Sequence, residues 1–245
     1  MSTYVYGFMN ASHPLPVEGL TGVGEQTPPL RVVRHDGLIA VVSNAPENLR
    51  AKRRDLDAHE KVLEAMSAAG TVLPMRFGTV AADDAAVQAE LASRVKRYAK
   101  LLSRLEGMVE LNVKALHRED AVLRELLLGN RDLRGLSEAL RAAGGGSRQE
   151  KVELGQKLAV ALEDRRAQDA EHVLSHLRPH ASEVNLGPPV DGCFVNASFL
   201  VAESRREEFD DSLSRLRQKL SWLMELRSYG PLPPYSFVGS GEAGE

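Results

Sequence analysis

VLPMRFGTV, residues Val72–Val80, comes one residue after DLDAHEKVLEAMSAAG, Asp55–Gly70. The upstream segment carries Leu56, Val62, Leu63 and Met66 on one side and stops at a glycine, so it reads as an amphipathic helix. The downstream segment is a short apolar run, which reads as a strand. A helix delivered straight into a strand makes this a mixed α+β chain. Alternation along Val72–Phe77 places Leu73, Met75 and Phe77 on one face and Arg76 on the other. A guanidinium buried behind a sheet without a partner costs several kcal/mol, so it needs a carboxylate or carbonyl cluster.

Working outward, Tyr4, Tyr6 and Phe8 alternate with smaller residues as in a half-buried strand. A Pro/Gly-rich loop spans His13–Pro29, and LRVVRHDGLIAVVSNA then reads as a hairpin turning at Asp36-Gly37. Ile39–Val42 is apolar on both faces, which marks an inner strand. Asp83 and Asp84 open a long helix with the stripe Val87, Leu91, Val95, Tyr98, Leu102 and Leu105, closed by Gly107. MVELNVKAL follows as another alternating strand, with Val109, Leu111 and Val113 inward and Glu110, Asn112 and Lys114 opposite. The expectation is that Arg76 pairs with Glu110 or another acid at the junction of the two halves. Direct contact of Arg76 with a partner is the alternative.

Helices are expected over Glu119–Leu128 and Leu133–Ala142, then a flexible Gly144–Ser147 linker. A long helix from Gln149 to Leu177 carries Leu154, Leu158, Leu162, Ala170, Val173, Leu174 and Leu177. Extended SEVNLG, a strand over Phe194–Ala202, a helix and a last strand over Met224–Tyr229 complete the half. The helix is opened by a Ser204/Glu207 capping box and carries Phe209, Leu213, Leu216, Leu220 and Leu223. That order is the ferredoxin-like split βαβ pattern. The division is therefore 1–106, an N-terminal α+β domain; 107–238, a ferredoxin-like domain with a helical insertion near 119–148; and 239–245, a disordered tail.

The 245 residues carry a formal net charge of −3, which gives no global attraction to nucleic acid or an acidic membrane. Lys52-Arg53-Arg54 and Arg205-Arg206 are short and adjoin acids. No apolar run approaches a membrane span, the start lacks a signal peptide, and a cytosolic protein is expected. The N-x-S sequences at Asn10 and Asn196 would matter only in a secreted protein. Cys193, the single cysteine, reads as a small buried strand residue.

Candidate chemistry is thin. His59-Glu60 lacks the second histidine of a zincin, because Leu63 stands there; His59 reads instead as a packed, hydrogen-bonded residue on the apolar face. His172, His176 and His180 are spaced by four, but Pro179 ends the helix before the third. Gly19, Gly22 and Gly24 match no dinucleotide fingerprint, and neither a Walker motif nor a nucleophile elbow occurs. No catalytic residue, cofactor or metal is assigned.

VLPMRFGTV, DLDAHEKVLE, VELNVK and GPLPPYSFV, in this order and spacing, resemble the GvpL/GvpF family of gas vesicle proteins, from the first strand to Val238. Leu232 departs from the tryptophan common in that family before the two prolines. The resemblance implies a non-enzymatic accessory protein with a two-domain α+β fold and a modified ferredoxin-like C-terminal part. It implies contacts with the hydrophobic, GvpA-like shell protein and with other accessory proteins, at the gas vesicle in the cytoplasm. Shell subunits expose apolar surface before they polymerise, so a binder that holds them back needs an apolar surface and no reactive centre. Structural or partner-binding candidates are His59, Arg76, Phe77, Glu110, Asn112, Pro233, Pro234 and Tyr235, and candidate contact surfaces are the sheet faces and the Gln149–Leu177 helix. GPLPPYSFV is expected either to dock a partner or to strap the two domains together. A small-molecule-binding regulatory protein using a ferredoxin-like sensor domain is the alternative function.

Overall fold

The computed structural model describes residues 1–239. The described residues group into two compact units, one of Met1–Leu111, Ala202–Ser204 and residues 230–239, the other of Asn112–Val201 and Arg205–Tyr229. The first unit thus includes Gly107–Leu111 and the Gly230–Val238 segment, which the sequence reading placed in the second half. The expected tail, past Gly239, lies outside the described residues.

In the first unit, β1 (Thr3–Asn10), β2 (Arg31–His35), β3 (Leu38–Asn44), β4 (Leu73–Pro74) and β5 (Val80–Ala81) form one sheet. Its order is β2-β3-β1-β4, with β5 also on β1. The β2–β3 hairpin turns at Asp36 and Gly37, at φ 41° and 78°, the double positive φ that a tight hairpin demands. β3 is inner, as expected, and buried along Leu38–Ser43.

β1 is not half-buried: every residue from Thr3 to Met9 is enclosed. The register against β3 slips between Val5 and Gly7, so Tyr6 is an extra, bulged residue. The bulge resets the alternation. Tyr4, Tyr6 and Met9 pack with Val62, Leu63 and Met66 of α1 (Arg53–Ala69) on one side. Phe8 faces the other way, its ring 4.9 Å from that of Tyr98. Gly7 follows from the same slip, because a Cβ there would stand 2.8 Å from Val72 Cγ2 and 2.9 Å from the Leu73 carbonyl oxygen.

The long helix expected over Asp84–Leu105 is broken into α2 (Asp84–Ser93) and α3 (Val95–Arg104) at Arg94. Ser93 Oγ donates to the Glu90 carbonyl, three residues back, and Arg94 N–H bonds Leu91 O rather than Glu90 O. Such a side-chain bond competes with the regular ladder and bends helices.

The start of α2 is tied to the sheet. Arg31 of β2 gives two hydrogen bonds to Asp84, at 2.8 and 2.7 Å, and Thr3 Oγ1 gives a third at 2.6 Å. These bonds, the guanidinium first, hold the Asp84 carboxyl at about 2. A carboxyl depressed in this way adds stability at pH values above its ordinary range and loses it as pH falls toward 2. Both side chains are more than a third exposed, so screening reduces the gain to about 1 kcal/mol. Asp84→Asn is expected to lower the urea midpoint at pH 7, the difference from the native chain closing between about pH 4 and pH 2. A pH-independent difference would contradict this.

The second unit holds β7 (Glu183–Leu186) and most of β6 (Met108–His117), β8 (Cys193–Ala202) and β9 (Met224–Leu232), in the order β7-β8-β6-β9, the ferredoxin-like arrangement. The β6–β7 crossover holds α4 (Glu119–Gly129), α5 (Arg131–Ala142) and the 30-residue α6 (Arg148–Leu177). The β8–β9 crossover holds α7 (Arg206–Leu220), whose Phe209 meets Phe199 of β8 at 5.2 Å between rings. The Ser204/Glu207 capping box does not form, because a short 3₁₀ turn over Glu203–Arg205 shifts the start of α7 to Arg206. A capping box stands instead at Ser147 and Glu150, opening α6. Cys193, expected to be buried, is only half-buried at the first position of β8.

Candidate functional site

The stretch that opened the sequence reading is not a continuous strand. β4 and β5 are two ends of an edge strand on β1, separated by a turn. Pro74 has no N–H to extend the ladder. Met75 N–H bonds Tyr6 O at 2.8 Å, and Thr79 N–H then returns to Arg76 O at 3.1 Å. Thr79 Oγ1 also donates to Arg76 O, and Gly78 takes φ 91°, the positive value that such a turn requires.

Arg76 therefore sits at the start of a turn and not in the core. Its residue is exposed, and no ion pair or side-chain hydrogen bond reaches its guanidinium among the described residues. The expected pairing with Glu110 is overturned: alternation stops at the proline, so nothing forces the arginine inward.

Behind the turn lies a cluster built on His59 of α1. Its Nε2 lies 3.1 Å from Met75 O, an acceptor only, so this nitrogen carries the proton. Its Nδ1 then accepts from Tyr4 Oη at 3.0 Å, and Tyr4 Oη accepts from Gly78 N–H at 3.1 Å. The Tyr6 ring stacks on the imidazole at 5.7 Å, and Phe77 meets it edge-on at 5.8 Å. Burial pulls the His59 pKa down, against the pull of the Met75 carbonyl, and pushes the Tyr4 hydroxyl up. The imidazole is thus a neutral bridge that holds the Met75–Gly78 turn against α1, as the packed reading of His59 anticipated.

GPLPPYSFV returns to the same unit. Pro234 and Phe237 are buried, Pro233 and Tyr235 half-buried. Tyr235 Oη lies 3.5 Å from His59 Nε2. Glu110, 4% exposed, accepts from Ser236 N–H at 2.8 Å and from Ser236 Oγ at 2.7 Å. Arg104 donates to the Phe237 carbonyl. The segment is a strap within the first unit. Leu232, at the end of β9, is exposed. Asn112 belongs to the second unit, where its Nδ2 donates to Asn196 Oδ1, Ala197 O and Ser198 Oγ of β8.

His59, Phe77 and Tyr235 are therefore brought together, Glu110 holds the same strap, and Arg76 and Asn112 stand apart. The sequence reading missed Tyr4, Ser236 and a groove beside β5. A tyrosine in a fully buried strand needs a partner for its hydroxyl, which was the available signal for Tyr4. The groove, about 340 Å³, has Val5, Phe8, Met75 and Val87 on its walls, and Val80 at its lip is 45% exposed. Tyr98 closes one side, its hydroxyl given to Glu90 at 2.5 Å and its pKa pushed up to about 12 by burial and then by that carboxylate. Among the described residues no three metal-ligating side chains converge, the His172–His180 trio included. Among the described residues no helix is long and apolar enough to cross a membrane.

The fold is that of solved gas vesicle proteins. The crystal structure of GvpF from Anabaena sp. PCC7120 superposes with a TM-score of 0.79 at 28% identity, covering 97% of this chain and 98% of that one. GvpF from Microcystis aeruginosa gives 0.76 at 28%, with the same coverage. Gas vesicle protein F of Streptomyces sp. (strain CB03234) is 47% identical over 97% of this chain and 100% of its own length. Gas vesicle protein L of that strain is 29% identical over 98% of this chain and 93% of its own length. The family model described as gas vesicle synthesis protein GvpL/GvpF matches residues 2–239. The chain belongs to the GvpL/GvpF family.

Proposed function

We propose that this protein is a non-enzymatic accessory factor that binds the hydrophobic, GvpA-like shell-forming subunit during gas vesicle assembly and keeps it from aggregating. The reading includes contact with other accessory proteins and a place at the gas vesicle in the cytoplasm. The observation that carries it is the family match over residues 2–239. The groove beside β5 supports it, since an apolar hollow next to an interrupted edge strand suits a client that presents unpaired strands and apolar side chains. Arg76, free at the adjoining turn, becomes a contact residue in this reading. Identity of 47% to protein F against 29% to protein L of one strain favours the F subtype.

Val80→Asp with Arg76→Glu tests the surface, because both side chains are exposed and the fold does not need them. The native chain is expected to suppress light scattering by shell subunit diluted from denaturant, and the double variant to need roughly tenfold more protein for the same effect. If the native chain neither binds the shell subunit nor delays its aggregation, the reading fails. If the double variant performs like the native chain, the groove is the wrong surface.

A further inference from the structure

β9 is the end strand of its sheet, and over Met224–Tyr229 it belongs to the second unit. The opposite edge, β7, is only four residues long, the short form that limits pairing with another chain. β9 is nine residues long and exposed from Arg227 onward. A long edge strand presents a row of main-chain donors and acceptors that a further strand can take. Arg118 N–H bonds Leu223 O, so Leu223, and by alternation Glu225 and Arg227, turn their main-chain groups toward β6. Met224, Leu226 and Ser228 turn theirs outward.

The centre of that outward row is closed. Arg217, in the last turn of α7, donates from Nε to Leu226 O at 3.0 Å and from Nη2 to Ser228 Oγ at 3.2 Å. Among the described residues no carboxylate pairs with this guanidinium, which is committed to the strand alone. Pro231, which has no N–H, ends the row on the other side.

Under the clasp the strand is complementary to itself. Glu225 and Arg227 share its solvent side and bond each other at 2.8 and 2.9 Å, with about half of each side chain exposed. Two copies of β9 laid antiparallel about Leu226 bring each Glu225 opposite the second copy's Arg227, because both positions are one residue from the centre. Centring on Met224 sets Glu225 against Leu223, and centring on Ser228 sets it against Pro231. In neither register does a charge meet its opposite. The flanking cations are engaged elsewhere: Lys114 lies over the Tyr229 ring, 5.1 Å from its centroid, and Arg118 donates to Ser221 O at 2.7 Å.

We propose that the outer edge of β9 is a strand-addition site for a second copy of this chain, held shut in the single chain by the Arg217 clasp. While Arg217 fills Leu226 O, a strand centred there meets an acceptor already taken and a guanidinium lying across the edge. Once Arg217 lets go, Leu226 offers both its N–H and its carbonyl, and the two edges join into one sheet. The Glu225 and Arg227 pairs then re-form across the joint. The site lies in the second unit, so its failure would leave the shell-subunit reading, which rests on the first unit, untouched.

The test is sedimentation of the full chain over a wide range of concentration. The native chain is expected to stay monomeric. Arg217→Met keeps the aliphatic stem and drops both donors, and is expected to self-associate at least about tenfold more tightly while hydrogen exchange slows at Leu226 N–H. Arg217 is exposed, so the variant keeps the native Tm at low concentration. Arg217→Lys, which reaches one acceptor and not two, is expected to fall between. Adding Glu225→Arg to Arg217→Met sets arginine against arginine and returns the monomer; adding Arg227→Glu as well restores the dimer with the pairs reversed. A native chain that is already a dimer, monomeric Arg217→Met and Arg217→Lys chains, or a dimer indifferent to Glu225→Arg would each overturn the proposal.

Discussion

Truncating His59 to alanine is expected to remove about 3–5 kcal/mol of stability at neutral pH, the cost of deleting a large buried side chain. The ring contacts with Tyr6 and Phe77 go, and the Met75 carbonyl and Tyr4 hydroxyl each lose a partner. Domains hold a total of about 5–15 kcal/mol, so this one change takes a large fraction of the margin. His59→Gln keeps an amide donor for Met75 O and an acceptor for Tyr4 Oη, and is expected to cost markedly less. The native chain and the glutamine variant also differ in their response to acid. Burial depresses the pKa of His59 in the folded chain, so folding favours the neutral ring. That contribution is complete above the ordinary histidine value of about 6.5 and is lost as pH falls through the lower folded value. Urea unfolding of the native chain is therefore expected to show stability declining below about pH 6.5, with a shallower decline in His59→Gln. An alanine variant as stable as the native chain, or a glutamine variant with an unchanged slope, would refute the bridging role.

What the sequence disclosed follows from which signals are local. Helical periodicity is local, so Arg53–Ala69 and Arg148–Leu177 were placed to within two residues of their observed starts. The order of elements in the second half sufficed for its sheet topology, because a ferredoxin-like crossover pattern admits few alternatives. The bulge at Tyr6 is a register event between two strands, and nothing in TYVYGFMN announces it; hence Phe8 was put on the wrong face. Arg76 failed for a related reason. Pro74 and Gly78 were both legible as strand breakers, but alternation was carried across them, which buried an arginine that the chain in fact turns outward. Glu110 read correctly as the polar side of its strand. Its partner, Ser236, lies 126 positions away, and no single-sequence pattern reports such a pair.

That distant pair carries the second large effect. Glu110→Ala is expected to cost about 2–4 kcal/mol, because a buried carboxylate accepting two hydrogen bonds is worth about 1.5–3 kcal/mol per bond, with less than full additivity. Truncation also leaves Ser236 N–H without its acceptor in a half-buried position. The loss should concentrate in the strap: Pro234, Tyr235 and Phe237 are held by Glu110, His59 and Arg104, and releasing one tether weakens the grip of the others. Chymotrypsin is the direct probe, since Tyr235 and Phe237 are its preferred residues and are partly or fully covered in the native chain. Faster cleavage at these two sites than at Tyr4 and Tyr6 is the expected pattern in Glu110→Ala, from local opening of the strap. Ser236→Ala removes only the hydroxyl bond and keeps the N–H bond, so it is expected to cost about 1 kcal/mol. In the double variant the two losses should fall short of their sum, because both report one tether. Full additivity, or cleavage spread evenly along the chain, would mean that Glu110 supports the unit as a whole and does not fasten its terminal segment.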